Sequence, residues 1–206
     1  MPITINGSTG ISGVDGSAGT PAVIGSDADT GLVFTAGRVS ASLNGTAANV
    51  GLVQATAQNS TSGTNIDFTG IPSWVKKITV MFNGVSTSST SAVQVQLGDA
   101  GGIETTGYAG GATATAAASA GFTSFTSGFV LSFGTDSAAT TRHGSIQISN
   151  LSGNIWVCHG VISSADLVRS SIASYSKTLS DVLTQLRVTT TGADTFDAGS
   201  INILYE

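Results

Sequence analysis

The chain has 206 residues, a formal net charge of −5 at pH 7 and charged side chains at only 9% of its positions. This length predicts one domain, or one domain with an appendage. Its seven Lys and Arg residues are scattered apart from Lys76 and Lys77, which excludes a nucleic-acid groove because such a groove needs clustered cations. A surface so poor in charge favours packing against identical copies, since charged residues are depleted at the centres of interfaces.

The N-terminal sequence MPITIN has neither the basic region nor the apolar region of a signal peptide. No apolar run in the sequence approaches the ~20 residues that cross a bilayer. We therefore expect synthesis in the cytoplasm and no membrane insertion.

Residues 1–64 are rich in Gly, Ser, Thr and Ala and contain only short apolar pieces. A segment of this composition buries too little apolar surface to fold alone. The sequence predicts an extended N-terminal arm over residues 1–64, which contacts with other chains would hold in place.

Residues 65–206 predict an antiparallel β-sandwich. Runs that alternate apolar and polar residues between turn formers occur at 75–82, 93–97, 129–133, 144–149, 184–189 and 200–205. A hairpin through residues 150–154 leads into residues 155–162, which are apolar on both faces and predict a strand that is central or at an interface. About eight or nine strands are expected, enough for a jelly-roll-like sandwich, although the pattern does not give their order.

Two stretches are ambiguous. Residues 112–119 (ATATAAAS) contain the alanines of a helix, but their threonines and the flanking glycines favour a surface loop. Residues 164–169 fit either a short helix capped by Ser164 or a loop. We interpret both stretches as loops.

Several phrases resemble tailed-bacteriophage tail-fibre-like proteins. Residues 19–34 (GTPAVIGSDADTGLVF) are similar to a fibre segment of the form G-T-P-A-x-x-G-x-D-x-x-T-G-[IL]-x-F. Residues 66–82 (IDFTGIPSWVKKITVMF) resemble the opening of a β-rich domain in these proteins. The end of that domain is similar to residues 177–180, 186–189 and 194–206. The resemblance thus covers the N-terminal third of the chain and both ends of the sandwich.

The resemblance implies a trimeric protein on the virion surface, made in the host bacterial cytoplasm. It carries over no catalytic residues. Because Met1 directly precedes the fibre-like segment and neither a long shaft nor an evident tail anchor occurs, a tail location does not follow automatically. We expect a tail-fibre-type protein that aids host adsorption. The alternative is a capsid cement or head-decoration protein, so the virion partner is a tail protein or the major capsid protein.

Three copies lying together would bury apolar side chains of the arm that one copy cannot bury, and strands between copies would satisfy the backbone. The expected trimer or virion contacts are Ile5, Val23, Ile24, Leu32, Val33 and Phe34.

The chain offers little for nucleophilic catalysis or zinc binding. Cys158 and His159 are adjacent, and neighbouring side chains on a strand point to opposite faces, so we expect both to be structural. Cys158 is the single cysteine, which excludes an internal disulfide. With His143 the chain has two His and one Cys, fewer than zinc sites usually combine. We expect no cofactor.

Two aspartate pairs lie in Gly-, Ser- and Thr-rich turns: Asp27 with Asp29, and Asp194 with Asp197. Either pair could bind calcium together with carbonyl oxygens. The alternative, which we favour, is that each carboxylate accepts hydrogen bonds from nearby backbone N–H groups.

A glycan depolymerase is the third functional hypothesis, because glycosidases place two carboxylates about 5–10 Å apart. The remaining candidates by count are Asp67, Asp99, Glu104, Asp136, Asp166 and Asp181. Most depolymerising spikes are long repetitive β-helices, and no internal period of about 20–50 residues occurs in this sequence. We therefore expect no enzymatic activity.

Aromatic side chains are the usual platform for sugars. Trp74 follows a proline turn into a strand and Trp156 lies within an apolar strand, so both are predicted in the core. Phe196 is a further aromatic residue near the C-terminus. Tyr108 and Tyr175 lie in loop-like contexts, and we predict that these two residues contact a receptor or host glycan.

Overall fold

The computed structural model describes residues 30–35, 38–43, 46–116, 119–132, 136–164, 166 and 168–206. These residues form strands and connecting turns in three antiparallel sheets, with no helix among them and hence none that is long and apolar enough to cross a membrane. The all-β class predicted from the sequence is confirmed. The chain divides into two compact units, of which the second spans Val53–Tyr205.

The first unit contains a three-stranded antiparallel sheet within the predicted arm. Its strands, paired in chain order, are β1 (Thr30–Thr35), β2 (Arg38–Leu43) and β3 (Thr46–Val50). Thr35 pairs with Arg38 and Leu43 pairs with Thr46, so only two residues of sequence separate the paired ends. Such short connections are typical of β-hairpins. The extent of the arm and its boundary at residue 64 stay predictions.

The second unit contains two antiparallel sheets. The nine-stranded sheet consists of β4 (Val53–Gln54), β5 (Gln58–Asn59), β7 (Lys77–Thr87), β10 (Tyr108–Ala116), β11 (Ser119–Ser124), β13 (Arg142–Ser152), β14 (Ile155–Ser164), β15 (Arg169–Thr178) and β17 (Phe196–Tyr205). The five-stranded sheet consists of β6 (Asn65–Thr69), β8 (Val93–Asp99), β9 (Gly102–Ile103), β12 (Phe129–Val130) and β16 (Gln185–Thr190). The first sheet has the order β11-β10-β15-β14-β13-β7-β17-β4, with β5 also paired to β17. The second has the order β12-β8-β16-β6, with β9 paired to β8.

The core of this unit consists of apolar side chains from both sheets. On β7, Ile78, Val80 and Phe82 are buried at every second position. On β16, Leu186 and Val188 are fully buried. This alternation places one face of each strand in the core. Because residues of both sheets belong to one hydrophobic cluster, the arrangement is consistent with the predicted β-sandwich.

The strand predicted at residues 155–162 is central, as the sequence indicated. β14 lies between β13 and β15, and the predicted hairpin joins it to β13. In this hairpin Gly153 has a φ of 50°, which residues with a side chain rarely adopt. Asn150 Nδ2 donates a hydrogen bond to the carbonyl oxygen of Gly153 at 2.8 Å and holds the turn closed.

Residues 112–119 were expected to form a surface loop, and that expectation is wrong: where described, they belong to β10 and β11. Ala112 and Ala114 are buried, whereas Thr115 is exposed, which is the alternation of a strand. β10 also pairs along its whole length with β15. Small side chains are sufficient at the inward positions of β10 because neighbouring strands enclose them. Of the other expected loop, residues 164–169, Ser164 ends β14 and Arg169 begins β15.

A buried carboxylate binds two arginines at one end of the larger sheet. Asp136 Oδ2 accepts a hydrogen bond from Arg142 Nη2 at 2.6 Å, and Asp136 Oδ1 accepts one from Arg169 Nη2. Ser132 Oγ donates to the same carboxylate at 2.8 Å. The side chains of Asp136 and Arg142 are fully buried. Since Arg142 and Arg169 both pair with Ser164, the cluster joins the ends of three neighbouring strands.

We expect Asp136→Asn to lower the free energy of unfolding by about 3–5 kcal/mol, because it leaves two guanidinium groups without their buried counter-charge. The matched control is Asp67→Asn, which breaks a partly exposed pair with Arg187 and should cost at most about 1 kcal/mol. Urea unfolding followed by tryptophan fluorescence measures both losses. Equal losses would contradict the structural importance of the buried cluster.

Candidate binding groove

A groove of about 350 Å³ lies at one edge of the second unit. Both sheets contribute to it, because β4 and β5 pair with β17 of the larger sheet while β6 is the edge strand of the smaller one. The residues lining the groove are Ala55, Thr56, Gln58, Asp67, Phe68, Thr69, Gly70, Ile71, Ile203 and Tyr205. We refer to this feature as the edge groove.

The floor of the edge groove is apolar. Phe68, Ile71 and Ile203 are buried members of the hydrophobic core. β6 alternates strictly between exposed and buried residues, so Phe68 points inward while its neighbours Asp67 and Thr69 remain exposed. The edge groove therefore combines an apolar base with polar walls, which is typical of sites for small ligands.

The polar wall is held by hydrogen bonds. Gln58 Nε2 donates to the backbone carbonyl of Asp67 at 2.7 Å and so links the segment beside β17 to β6. The carboxylate of Asp67 accepts two hydrogen bonds from Arg187, with Nε to Oδ1 at 2.7 Å and Nη2 to Oδ2 at 2.8 Å. These bonds raise the pKa of the Arg187 guanidinium. A two-point pair of this kind fixes the orientation of both side chains.

An aromatic pair stands beside the polar wall. Tyr205, which lines the edge groove, contacts Trp74 with ring centroids 5.9 Å apart and planes tilted by 49°. Both rings are partly buried and pack against the core. The edge groove thus brings an aromatic ring, a carboxylate and an amide side chain together. Sequence reasoning missed this constellation because Tyr205 is far from Gln58 and Asp67 in the chain.

The expected exposure of Tyr108 and Tyr175 is wrong. Only 2% of Tyr108 and 4% of Tyr175 are accessible, and burial raises the pKa of both phenols. Tyr108 meets Phe129 edge to face at 5.0 Å, and its hydroxyl accepts a hydrogen bond from the backbone N–H of Leu97 at 2.7 Å. The glycine-rich context that resembled a loop belongs to strand β10, where Gly110 pairs with Tyr175 and leaves room for that ring. Neither tyrosine offers a surface to a glycan.

The structure also gives the burial of the other aromatic residues and of the Cys–His pair considered in the sequence. Trp156 is buried as predicted, and Phe196 is buried as well. Cys158 is buried and His159 exposed, so the two side chains lie on opposite faces of β14 as predicted. Burial raises the pKa of the Cys158 thiol, which disfavours a reactive thiolate.

The expected arm contacts Ile5, Val23 and Ile24 lie outside the described residues, and so do the side chains of Leu32, Val33 and Phe34. The same is true of the candidate calcium ligands Asp27 and Asp29.

The second candidate calcium pair is engaged elsewhere. Asp194 Oδ2 accepts a hydrogen bond from the backbone N–H of Ser91 at 2.7 Å, and Asp197 Oδ1 accepts one from the Ser86 hydroxyl. Within the described residues no three His, Cys, Asp or Glu side chains are grouped to hold a metal ion.

Asp99 and Glu104 form a close pair of carboxylates. Ser180 Oγ lies 2.7 Å from Asp99 Oδ2 and 2.8 Å from Glu104 Oε1. Lys177 Nζ lies 2.5 Å from Glu104 Oε2. The hydrogen bond from Ser180 is the largest cause that lowers the pKa of Asp99. Burial raises the pKa of Glu104, but hydrogen bonds from Lys177 and Ser180 outweigh burial and hold it below its usual value.

Glycoside hydrolysis needs one carboxylic acid that keeps its proton near neutral pH. Since both pKa values in this pair are lowered, the pair supplies no such acid. The remaining described candidates also have local partners: Thr141 N–H donates to Asp166 at 3.2 Å and Val182 N–H to Asp181 at 2.7 Å.

Comparisons with protein-family models, with curated proteins and with solved structures find no significant match. The edge groove is therefore interpreted from its geometry and chemistry.

The Asp99–Ser180–Glu104 cluster predicts a specific loss of stability in acid. Groups whose pKa is lowered by folding stabilise the fold above their usual pKa values, here 3.8 and 4.5, and lose that contribution as the pH falls through their folded-state values. We expect Ser180→Ala to be less stable than the wild type at pH 7 and closer to it at pH 3, in urea unfolding at each pH.

The matched control is Ser145→Ala, which removes an exposed hydroxyl away from this cluster. Its stability difference from the wild type should not depend on pH. A Ser180→Ala difference that is equally large at pH 7 and pH 3 would contradict the prediction.

Proposed function

We propose that this protein is a non-enzymatic structural component of a bacteriophage virion. In this proposal it is a homotrimeric surface protein of tail-fibre type, with a jelly-roll-like sandwich, that aids adsorption by binding a host surface glycan. The resemblance of residues 19–34 and of both ends of the sandwich to tail-fibre-like proteins supports the virion assignment. The observation that carries the adsorption role is the edge groove.

The chemistry of the edge groove suits a sugar. A sugar presents hydroxyl groups that both donate and accept hydrogen bonds, beside C–H surfaces that pack on aromatic rings. Of the residues that line the edge groove, Asp67 supplies acceptors and the Gln58 amide carries both donors and acceptors. The Tyr205 ring supplies the apolar surface. Because the Asp67–Arg187 pair and the Gln58 bond fix these groups beforehand, little ordering is needed when a ligand binds.

The alternative is a capsid cement or head-decoration protein that stabilises the shell. That function needs contact with the major capsid protein and makes no use of a sugar site. A glycan depolymerase is the least favoured reading, because the close carboxylates Asp99 and Glu104 both have lowered pKa values. Binding without turnover separates the adsorption role from both alternatives.

We expect the purified protein to bind a bacterial surface oligosaccharide on a glycan array without cleaving it. Tyr205→Ala should weaken this binding at least about tenfold, which corresponds to about 1.4 kcal/mol, because it removes the aromatic ring that lines the edge groove. Thr69→Lys is a second variant, since a long side chain at this exposed position should obstruct the edge groove.

The matched control is Leu151→Ala, an exposed apolar residue in the β13–β14 hairpin. It should bind as the wild type does. The adsorption role fails if no bacterial oligosaccharide binds, or if Tyr205→Ala and Thr69→Lys bind as tightly as the wild type.

A further inference from the structure

The outward face of the larger sheet carries large apolar side chains. Phe122 on β11 is 63% exposed, Ile172 on β15 is 54% exposed and Val161 on β14 is 49% exposed. Exposed apolar residues that occur singly need no explanation, but a contiguous group indicates a surface that another molecule covers.

The strand register places these three residues in one row. Thr113 of β10 pairs with Phe122 on one side and with Ile172 on the other, and Ile172 pairs with Val161. Adjacent strands lie about 4.8 Å apart, so the side chains of directly paired residues are in contact distance. Ser145 of β13, which pairs with Val161, continues the row.

The Phe122 ring lies across the face rather than away from it. A Cβ atom placed on Gly111 of β10 would stand 2.5 Å from Cζ of Phe122. The ring therefore occupies the space above this glycine, and a larger residue there would displace it. We refer to Phe122, Ile172 and Val161 as the apolar strip.

The described outward positions of β10, β11, β13, β14 and β15 hold no Lys, Arg, Asp or Glu. By strand alternation these positions hold Ser, Thr, Gly, Ala, Gln, Val, Ile, Leu, Phe and His. Lys77 is the nearest cation along this face and lies at the rim, on β7, where it pairs with Ser149. An apolar, uncharged centre with a polar rim is the composition of a protein interface.

We propose that copies of this chain associate through this outward sheet face, with Phe122, Ile172 and Val161 at the centre of the contact. The charge of the chain favours a second copy as the partner. Each copy carries a net charge of −5, so two copies can associate only through a surface on which like charges do not face each other. This face brings no like charges together. A charged partner would find no side chain of opposite charge on this face.

The size of the face also fits a second copy. Its five strands β10, β11, β13, β14 and β15 contain 9, 6, 11, 10 and 10 residues, and at about 3.3 Å per residue and about 4.8 Å between strands they cover roughly 700 Å² in projection. Stable interfaces bury about 800 Å² per partner, and side-chain relief increases the projected value towards this figure.

This inference rests on the proposed function for the number of copies, three, and adds to it the surface through which they meet. The edge groove lies beside β4, β5 and β6, outside the strip of Phe122, Ile172 and Val161. Assembly and glycan binding can therefore be measured separately on the same protein.

The test is the mass of the full chain in solution by sedimentation velocity over a range of concentrations. We expect the wild type to sediment as a multimer of the 20.4 kDa chain, with three copies favoured. Ile172→Lys should weaken self-association at least about a hundredfold and shift the protein to monomer, because it places a cation at the apolar centre. Val182→Lys is the matched control: Val182 is 44% exposed and lies outside the sheet, so this variant should assemble as the wild type does.

Circular dichroism checks that each variant is folded, and Ser145→Lys, at an exposed position beside Val161, replaces Ile172→Lys if that variant does not fold. The proposal is overturned if folded Ile172→Lys or Ser145→Lys keeps the mass of the wild type. A wild type that is monomeric at every concentration also overturns the proposal. In that case the N-terminal part of the same chain or another virion protein would cover the face. A wild type that assembles but binds no oligosaccharide contradicts the adsorption role alone.

Discussion

The packing of two antiparallel sheets against one core is the constraint on which the rest of the second unit depends. Because of this packing, the inward-facing positions of the strands hold apolar side chains such as Ile78, Leu186 and Val188. Only the edges of the sheets and their outward faces are then available for binding. The edge groove lies where β6 and the partners of β17 flank the core, and the apolar strip of Phe122, Ile172 and Val161 lies on an outward face. Both candidate surfaces are thus consequences of how the sheets close on the core.

Several of the few charged side chains form ion pairs with one another. Asp136 holds Arg142 and Arg169 inside the second unit, Lys177 holds Glu104 beside Ser180, and Asp67 holds Arg187 at the edge groove. The described outward positions of β10, β11, β13, β14 and β15 hold no Lys, Arg, Asp or Glu. The same scarcity of charge that excluded a nucleic-acid groove from the sequence therefore also produces a surface suited to contact between copies.

The sequence predicts strands where large apolar residues alternate with polar ones, as in β7, β8, β16 and β17, because burial of such residues is determined locally by the strand period. It fails for β10 and β15, whose inward positions hold Ala112, Ala173 and Ser171. Small residues at these positions are buried only because neighbouring strands enclose them, which a single stretch does not reveal. For the same reason Tyr108 and Tyr175 looked exposed. The edge groove was not predictable, since Gln58 reaches β17 only by pairing with Ile201 and reaches β6 only by its hydrogen bond to Asp67. The jelly-roll topology and the trimer stay predictions.

The central claim is that the protein acts on the tail of a virion. The most direct measurement is electron microscopy of purified virions that carry a gold label at Glu206 of this chain. Our account predicts label confined to the tail. Label spread in a lattice over the head would contradict it and favour the cement function, and particles without label would contradict the virion assignment itself.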